Sequence, residues 1–222
     1  MSSSSVVAGQ YRILIVDDHP VVRHGLAWTI GQDPDLDVCG EAACIEEALR
    51  LVESDLPDVA IIDLSLDGED GMELIDSIRS RWPSVKILVY SAHEEEACAG
   101  RVLRAGAMGY VSKREPMSAA VAAVRQILRG EVYLSLKMTA NLLQRAAIGK
   151  PLEQDPVEAF SHRELQVFRM MGQGMNTVQI ARKLDLSPKT VETHRKVIKT
   201  KLNAQTIAHL RRLAFQWVQE NP

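Results

Sequence analysis

The chain has 222 residues, of which 46% are hydrophobic and 25% charged, and its formal net charge is -3 at pH 7. This composition is typical of a globular protein that folds in water, and no apolar stretch approaches the roughly 20 residues of a membrane-spanning helix. The three cysteines lack a Cys-x-x-Cys spacing and indicate neither a disulfide framework nor a structural zinc site.

The net charge conceals two regions of opposite sign. Residues 1–130 carry 12 basic and 21 acidic side chains, whereas residues 161–222 carry 11 basic and 4 acidic ones. Regions of opposite charge are unusual within one compact domain, and a short basic unit is the electrostatic footprint of a nucleic-acid binder. We therefore expect two domains with separate tasks, the second of which binds nucleic acid.

The chain begins with a serine-rich stretch that lacks the basic and apolar regions of a secretory signal. This composition predicts a disordered tail over residues 1–10. We expect the protein to remain in the cytoplasm and to have no membrane partner.

Hydrophobic runs alternate with amphipathic stretches over the first 130 residues. Strands are predicted at 12–16, 59–62 and 85–90, with weaker strand patterns at 36–40 and 108–111. Helical spacing of apolar residues predicts helices at 20–32, 45–54, 71–82, 94–105 and 116–129. Five alternating units predict a flavodoxin-like, doubly wound α/β domain with a parallel sheet over residues 11–131.

A less regular segment follows this domain. The spacing of residues 137–147 allows a short helix, and Gly149, Pro151 and Pro156 interrupt the pattern after it. Residues 132–159 are therefore predicted to be a linker. Beyond it, helical patterns without strands predict a small all-α domain over residues 160–222, with helices at 161–173, 177–184, 188–202 and 205–218.

Polar residues follow the predicted strands at their carboxyl ends. These residues are Asp17, Asp18, Asp63, Ser91 and Lys113. In an open parallel sheet these ends line one crevice, where ligands bind. Three carboxylates there repel one another unless a hard divalent cation such as Mg²⁺ and the Lys113 ammonium compensate them. A carboxylate in such surroundings is a competent nucleophile toward a phosphoryl donor, and Asp63 is the central candidate.

The basic domain contains an amphipathic helix suited to a DNA groove. Ser187 is a predicted N-cap, followed by proline at the first helical position. The polar face of this helix carries Lys189, Glu192, Thr193 and Lys196, and the opposite face carries Val191, Ile198 and Leu202. The preceding helix and the short break between them have helix-turn-helix spacing.

Five short strings surround the predicted strand ends. They are Ile15-Val16-Asp17-Asp18-His19, Ile62-Asp63-Leu64-Ser65, Gly68-Glu69-Asp70-Gly71, Tyr90-Ser91-Ala92-His93 and Gly106-Ala107-Met108-Gly109-Tyr110-Val111-Ser112-Lys113. Through these strings, residues 12–130 resemble the receiver domain of two-component response regulators. One departure is Asp67, which stands where many receiver domains have proline and adds a negative charge beside the predicted site.

This resemblance implies a role for each polar residue at the strand ends. Asp63 would accept a phosphoryl group from a histidine kinase. Mg²⁺ would be held by Asp18, Asp63 and the Ser65 carbonyl, with Asp17 acting through water. The groups that respond to the phosphoryl group would be Ser91, Lys113 and the switch aromatic Tyr110.

A second set of strings lies in the basic domain. They are Ser161-His162-Arg163-Glu164, Gly172-Gln173-Gly174-Met175-Asn176, Ile180-Ala181-Arg182-Lys183-Leu184, Ser187-Pro188-Lys189-Thr190-Val191-Glu192-Thr193-His194 and Lys201-Leu202-Asn203-Ala204. Through them, residues 160–218 resemble the DNA-binding domain of the NarL/FixJ (LuxR-type) regulators. Val178 and Gln179 depart from the commoner Lys-Glu pair, and Glu192 is acidic where some members have lysine.

This second resemblance implies a set of DNA contacts. Glu192, Thr193 and Lys196 align with positions that contact bases, and the flanking cations are suited to phosphates. The predicted DNA-binding residues are Arg182, Lys183, Lys189, Thr190, Glu192, Thr193, His194, Arg195, Lys196 and Lys199.

Together the two resemblances predict a transcriptional response regulator and not an enzyme, apart from its own phosphorylation and dephosphorylation. Phosphorylation is expected to change the surface around residues 94–130 and to promote a homodimer on promoter DNA. The helix at 205–218 could supply a dimer surface or belong to the core.

Two other functions are open from the sequence. One is a DNA-binding regulator whose receiver domain works without phosphorylation. The other is an aspartate-nucleophile phosphohydrolase, a class that usually has a second acid two residues after the nucleophile, where this chain has Ser65.

Overall fold

The computed structural model describes residues 10–67, 69–92, 95–147, 157 and 160–220. Only Gln10 of the predicted tail is among these residues. Beyond residue 147, only Val157 of the predicted linker is among them. The chain divides into two compact units, Met1–Ile148 and Gly149–Pro222. The predicted domain limits, at residues 131 and 160, stay a prediction.

The first unit alternates strands and helices. In chain order they are β1 (Tyr11–Val16), α1 (Pro20–Ile30), β2 (Leu36–Ala42), α2 (Ile45–Asp55), β3 (Val59–Ile62), β4 (Ser65–Leu66), β5 (Glu69–Asp70), α3 (Gly71–Arg81), β6 (Lys86–Ser91), α4 (Glu95–Arg104), β7 (Gly109–Ser112), α5 (Met117–Leu128) and α6 (Leu136–Ala147). The five predicted strands and five predicted helices are all present. The short antiparallel pair of β4 and β5 was not predicted.

Five strands form one parallel sheet in the order β2-β1-β3-β6-β7. Side chains of β1 alternate between the two faces, as a strand requires. Leu14 and Val16 join a core with α2, α3 and α4, whereas Ile13 and Ile15 join a core with α1 and α5. The predicted doubly wound α/β fold is therefore confirmed.

After α5 the chain returns to the open edge of β7. The Tyr133 N–H donates to the Met108 carbonyl, and the Tyr110 N–H donates to the Tyr133 carbonyl, both at 3.0 Å. Helix α6 then packs against α4, and Met138 is buried in the core that contains Tyr110. This return satisfies edge groups of β7 that would otherwise be free to pair with another chain.

The second unit is helical. Its helices are α7 (His162–Gly172), α8 (Thr177–Leu184), α9 (Pro188–Lys201) and α10 (Ile207–Glu220), and residues 160–220 contain no strand. The predicted all-α domain is confirmed. Among the described residues of both units, no helix combines the length and the apolar character that crossing a bilayer requires.

Side-chain caps define where the helices of the second unit begin. Ser161 and Glu164 form a capping box at α7, and Asn176 and Gln179 form one at α8. The Gln179 side chain thus accepts the hydrogen bond from the Asn176 N–H that a glutamate at this position would accept. Ser187 accepts a hydrogen bond from the Thr190 N–H at α9.

All four helices of the second unit contribute buried side chains, including Ile180 of α8 and Val191 of α9. Phe168 packs edge-on against Phe160, with 5.2 Å between ring centroids, and lies 6.0 Å from Trp217 of α10. Leu210 and Ala214 are fully buried. Gly172 allows the close approach of α7 to α10, because a Cβ there would lie 2.3 Å from the Ala214 carbonyl oxygen. Much of α10 therefore serves the core.

Candidate functional site

The sheet brings the predicted polar residues to one edge. Asp17 and Asp18 directly follow β1, Asp63 follows β3, Ser91 ends β6 and Lys113 follows β7. Because these strands are parallel neighbours, their carboxyl ends meet. Ligand atoms of Asp17, Asp18, His19 and Asp63 all lie within 4.8 Å of one another.

Lys113 bridges two of these carboxylates. Its Nζ atom lies 2.7 Å from Asp63 Oδ2 and 2.5 Å from Asp17 Oδ2. Burial raises the pKa of Asp17, and the hydrogen bond and charge of Lys113 oppose this rise. Burial by itself would lower the pKa of Lys113, but the charge of Asp63 and the hydrogen bonds to both carboxylates outweigh it and raise this pKa. The ammonium is thus held in its charged form between two buried acids.

Asp18 is oriented by two further groups. His19 Nδ1 lies 2.6 Å from Asp18 Oδ1, and the Asp67 N–H donates to Asp18 Oδ2 at 3.2 Å. A proline at position 67 would have no N–H to donate. The departure at Asp67 therefore supplies a backbone donor to the site in addition to its charge. His19 was not predicted as a site residue, although it directly follows Asp17 and Asp18 in the sequence.

The loop after Asp63 is fixed by the start of α3. A Cβ on Gly71 would lie 2.2 Å from the Asp63 carbonyl oxygen and 2.8 Å from Leu64 Cα. Only glycine lets the helix begin this close to the loop. Asp70 caps the helix by accepting from the Met72 N–H at 3.0 Å, and the Ser65 N–H donates to Asp63 Oδ1 at 3.2 Å.

Ser91 and Tyr110 are both enclosed. Ser91 is fully buried, and its Oγ has no hydrogen-bond partner among the described residues. Leaving a buried hydroxyl unpaired costs about 1–3 kcal/mol, so this atom suggests a ligand with acceptor oxygens. Tyr110 is 1% exposed and packs in the core that includes Ala99, Val102 and Met138.

The donor set of this edge fits a hard divalent cation. Three carboxylates face one ammonium, so the pocket carries an excess of negative charge, and oxygen atoms dominate its possible ligands. Oxygen ligands and negative charge are what Mg²⁺ and Ca²⁺ require.

Most predicted DNA-binding residues lie on the surface of the second unit. Six side chains are exposed, namely Arg182, Lys183, Lys189, Glu192, Thr193 and Lys196. Thr190, His194 and Lys199 are half-buried. Val191 and Ile198 are fully buried on the opposite face of α9, as its amphipathic pattern predicts. Thr190 also serves the cap, because its Oγ1 lies 2.7 Å from Ser187 Oγ.

Arg195 is placed differently from its neighbours. It is 6% exposed, and its Nη1 donates to Thr177 Oγ1 at 2.6 Å and to Glu192 Oε1 at 2.5 Å. This burial does not support the predicted phosphate contact, which stays untested. The cause is tertiary: Arg195 lies on the face of α9 that meets the first turn of α8. Thr177 was not predicted as part of any site.

A five-stranded parallel sheet with three carboxylates and a lysine at its carboxyl edge, followed by a helix-turn-helix unit, defines a DNA-binding two-component response regulator with a phosphorylatable receiver domain. The chain belongs to this family. Residues 13–125 match the family model of the response regulator receiver domain, and residues 158–214 match that of bacterial regulatory proteins, luxR family. The resemblance to NarL/FixJ regulators is confirmed.

Relatives of known name cover nearly the whole chain. The oxygen regulatory protein NreC of Staphylococcus epidermidis is 35% identical over 201 residues, covering 88% of this chain and 92% of NreC. The transcriptional activator protein ExaE of Pseudomonas putida is 34% identical over 204 residues, covering 92% and 95%.

Solved structures agree with this assignment. RcsB of Salmonella typhimurium is 27% identical with a TM-score of 0.58, covering 93% of this chain and 99% of that one. A second RcsB structure, bound to promoter rprA in the presence of phosphomimetic BeF3-, is 26% identical with a TM-score of 0.58, covering 91% and 97%.

Proposed function

We propose that a sensor histidine kinase phosphorylates this regulator on Asp63 and that the modification controls how the helix-turn-helix unit engages promoter DNA in the cytoplasm. The observation that carries this proposal is the Lys113 ammonium, 2.7 Å from Asp63 and 2.5 Å from Asp17 at the carboxyl edge of the sheet. The Lys113 ammonium can therefore pair with the oxygens of a phosphoryl group on Asp63.

The reaction is a transfer from a phosphohistidine of the kinase to a carboxylate. An Asp63 oxygen forms the new P–O bond while the P–N bond to the histidine breaks, and its electron pair stays on the imidazole nitrogen. The Lys113 ammonium pairs with one phosphoryl oxygen, and the unpaired Ser91 hydroxyl donates to another. Both contacts stabilise charge on the transferred group.

Asp18, Asp63 and the Ser65 carbonyl would hold Mg²⁺, with Asp17 acting through water. Bound there, Mg²⁺ would neutralise charge on the phosphoryl oxygens. The Asp67 N–H and His19 keep Asp18 oriented for this role.

Phosphorylation adds about two negative charges to a buried site. Lys113 and Ser91 move toward the new oxygens, and the buried Tyr110 repacks against α4. We propose that the changed surface around residues 94–130 favours a homodimer. RcsB is solved as two dimers bound to two parallel DNAs, a precedent for this assembly.

In the DNA complex, α9 lies in the major groove. In this proposal the exposed Lys189, Glu192, Thr193 and Lys196 contact base edges, with Thr190 and His194 beside them. Arg182, Lys183 and Lys199 contact phosphates. A dimer would bring two such helices to half-sites about one helical turn apart.

Acetyl phosphate with Mg²⁺ tests the phosphorylation step directly. The full-length protein is expected to gain the mass of one phosphoryl group in an adduct that hydroxylamine removes. Asp63→Asn and omission of Mg²⁺ should each abolish it. A protein that stays unmodified, yet still binds its promoter as a dimer, would instead have a passive receiver domain. Turnover of a small phosphate ester would indicate a phosphohydrolase.

A further inference from the structure

Two side chains hold the carboxylate of Glu192 from one side. Thr177 Oγ1 donates to Glu192 Oε1 at 2.7 Å. Arg195 Nη1 donates to the same oxygen at 2.5 Å and to Thr177 Oγ1 at 2.6 Å. We call Thr177, Glu192 and Arg195 the carboxylate clamp. It links the first residue of α8 to the polar face of α9.

The direction of each hydrogen bond in the clamp is fixed by chemistry. A guanidinium can only donate, so Thr177 accepts from Arg195 and has one hydrogen left, which it gives to Glu192. Both bonds to Glu192 end on Oε1. No partner of Oε2 is found among the described residues, and the Glu192 side chain is 50% exposed. One carboxylate oxygen is therefore anchored and the other is available.

The clamp also keeps this carboxylate ionised. The hydrogen bond from Thr177 lowers the pKa of Glu192, and the charges of Arg195 and Arg211 lower it further, while burial opposes them. An ionised carboxylate is an acceptor only.

Stability alone is a weak reason for this arrangement. The Arg195 side chain is 8% exposed, and its Nε is buried without a hydrogen-bond partner among the described residues. Removing a guanidinium from water is costly, and such buried charges often contribute little net stability. The arrangement does restrict Glu192, which sits on the exposed face that is proposed to enter the groove.

We propose that Thr177 and Arg195 are positioning residues that fix Glu192 as a rigid hydrogen-bond acceptor, so that the regulator selects cytosine at one position of its binding site. This inference rests on the proposed function, in which α9 lies in the major groove. Cytosine offers an N4 amino donor there, whereas guanine presents the acceptors O6 and N7 and thymine the acceptor O4. Adenine offers a donor too, but its N7 acceptor lies beside it and repels a carboxylate.

The clamp acts by ordering Glu192 before DNA arrives. A free glutamate loses rotamer freedom when it contacts a base, which weakens the contact. Glu192 has already lost that freedom in the protein. Loss of the Thr177 hydroxyl should therefore affect one base position and leave the phosphate contacts alone.

The test compares base preference in full-length variants. The wild-type protein first selects sites from a random duplex library, and equilibrium binding then measures all four base pairs at each position at one salt concentration. Thr177→Val removes the hydroxyl with little change of shape, and Thr177→Ser retains it. Glu192→Gln marks the position that Glu192 contacts. Thr139→Val is a matched control in the receiver domain, because the Thr139 hydroxyl donates to the Ser135 carbonyl directly before α6 and has no part in the clamp.

We expect Thr177→Val to reduce the cytosine preference by about 10-fold at the position marked by Glu192→Gln, as the loss of a hydrogen bond to a charged group implies. Thr177→Ser and Thr139→Val should keep the preference. The salt dependence of binding should be the same for all variants, because it counts phosphate contacts.

Other outcomes count against the clamp. A cytosine preference that survives Thr177→Val, or an equal loss of affinity at every position, would overturn the clamp while DNA binding by α9 stands. A wild-type protein that enriches no sequence would overturn the proposed function, and the clamp with it.

Discussion

Lys113 separates two buried carboxylates that would otherwise repel each other. Its two short contacts, to Asp17 and Asp63, make it both the counter-charge of the unmodified site and the cation nearest the proposed phosphoryl group. The same residue therefore links the stability of the receiver domain to its chemistry.

Replacing Lys113 with methionine should destabilise the receiver domain by about 3 kcal/mol, because it leaves two buried acids without their partner. Mg²⁺ should restore part of this loss by replacing the missing charge. Urea unfolding of the full-length protein, with EDTA or with Mg²⁺, measures both effects. Arg129→Met, which removes an exposed pair with Glu131, is the control and should change stability by less than about 1 kcal/mol. Equal effects of the two substitutions would show that the bridge is not a structural element.

Lys196 and Lys183 provide a second contrast at the residue scale. Both are exposed, but Lys196 lies on the polar face of α9 and Lys183 in the last turn of α8. Lys196→Ala should relax preference at one base pair, at a cost of about 1–3 kcal/mol if its contact is bidentate. Lys183→Ala should weaken all sequences alike and lower the salt slope by about one unit. Affinity measured on matched and mismatched duplexes at several salt concentrations separates the two, and a reversed pattern would refute these roles.

At the scale of elements, the stretch after α5 is part of the receiver domain's structure as well as the start of the connection to the DNA-binding unit. Tyr133 extends the sheet edge beside Tyr110, and Met138 of α6 enters the core around that residue. A repacking of Tyr110 would therefore act directly on α6.

Met138→Ala should cost about 2–3 kcal/mol of unfolding free energy, because it leaves a cavity in a packed core. Leu143→Ala on the same helix is the matched control and should cost little, since Leu143 is 67% exposed. Urea unfolding of both variants measures the two changes in unfolding free energy. If the two substitutions had the same effect, α6 would not be anchored as described.

An ion pair connects helix α5 to the loop before β2, and its contribution to stability depends on pH. Arg125 Nε donates to Asp33 Oδ2 at 2.6 Å, and this hydrogen bond lowers the pKa of Asp33. Because the folded-state pKa lies below the unfolded one, the pair stabilises the fold above about pH 4 and is lost as the pH falls through the folded value. The difference in unfolding free energy between wild type and Arg125→Gln should shrink in that range. A difference that stays constant into acid would contradict this assignment.

The sequence predicted elements whose information is local and missed features that depend on packing. Buried strands were visible as continuous apolar runs and amphipathic helices as periodic ones, and the strand-end residues followed from parallel topology. The pair of β4 and β5 was missed because two-residue strands have no period to detect. The burial of Arg195 was missed because its partner Thr177 is 18 residues away in the chain, and Arg195 was grouped with the flanking cations that are suited to phosphates.

At the scale of the whole molecule, an acidic unit and a basic unit share one chain. The first gathers carboxylates at the edge of a parallel sheet, and the second presents α9 with exposed basic and polar side chains. The central claim is that a charge change at Asp63 in the first unit alters how the second binds a promoter.

Promoter binding and assembly state, measured together before and after treatment with acetyl phosphate and Mg²⁺, test this claim most directly. The account predicts that phosphorylated wild-type protein shifts toward a dimer and gains promoter affinity, while Asp63→Asn under the same treatment does neither. A fully phosphorylated protein with unchanged assembly and unchanged promoter affinity would contradict it.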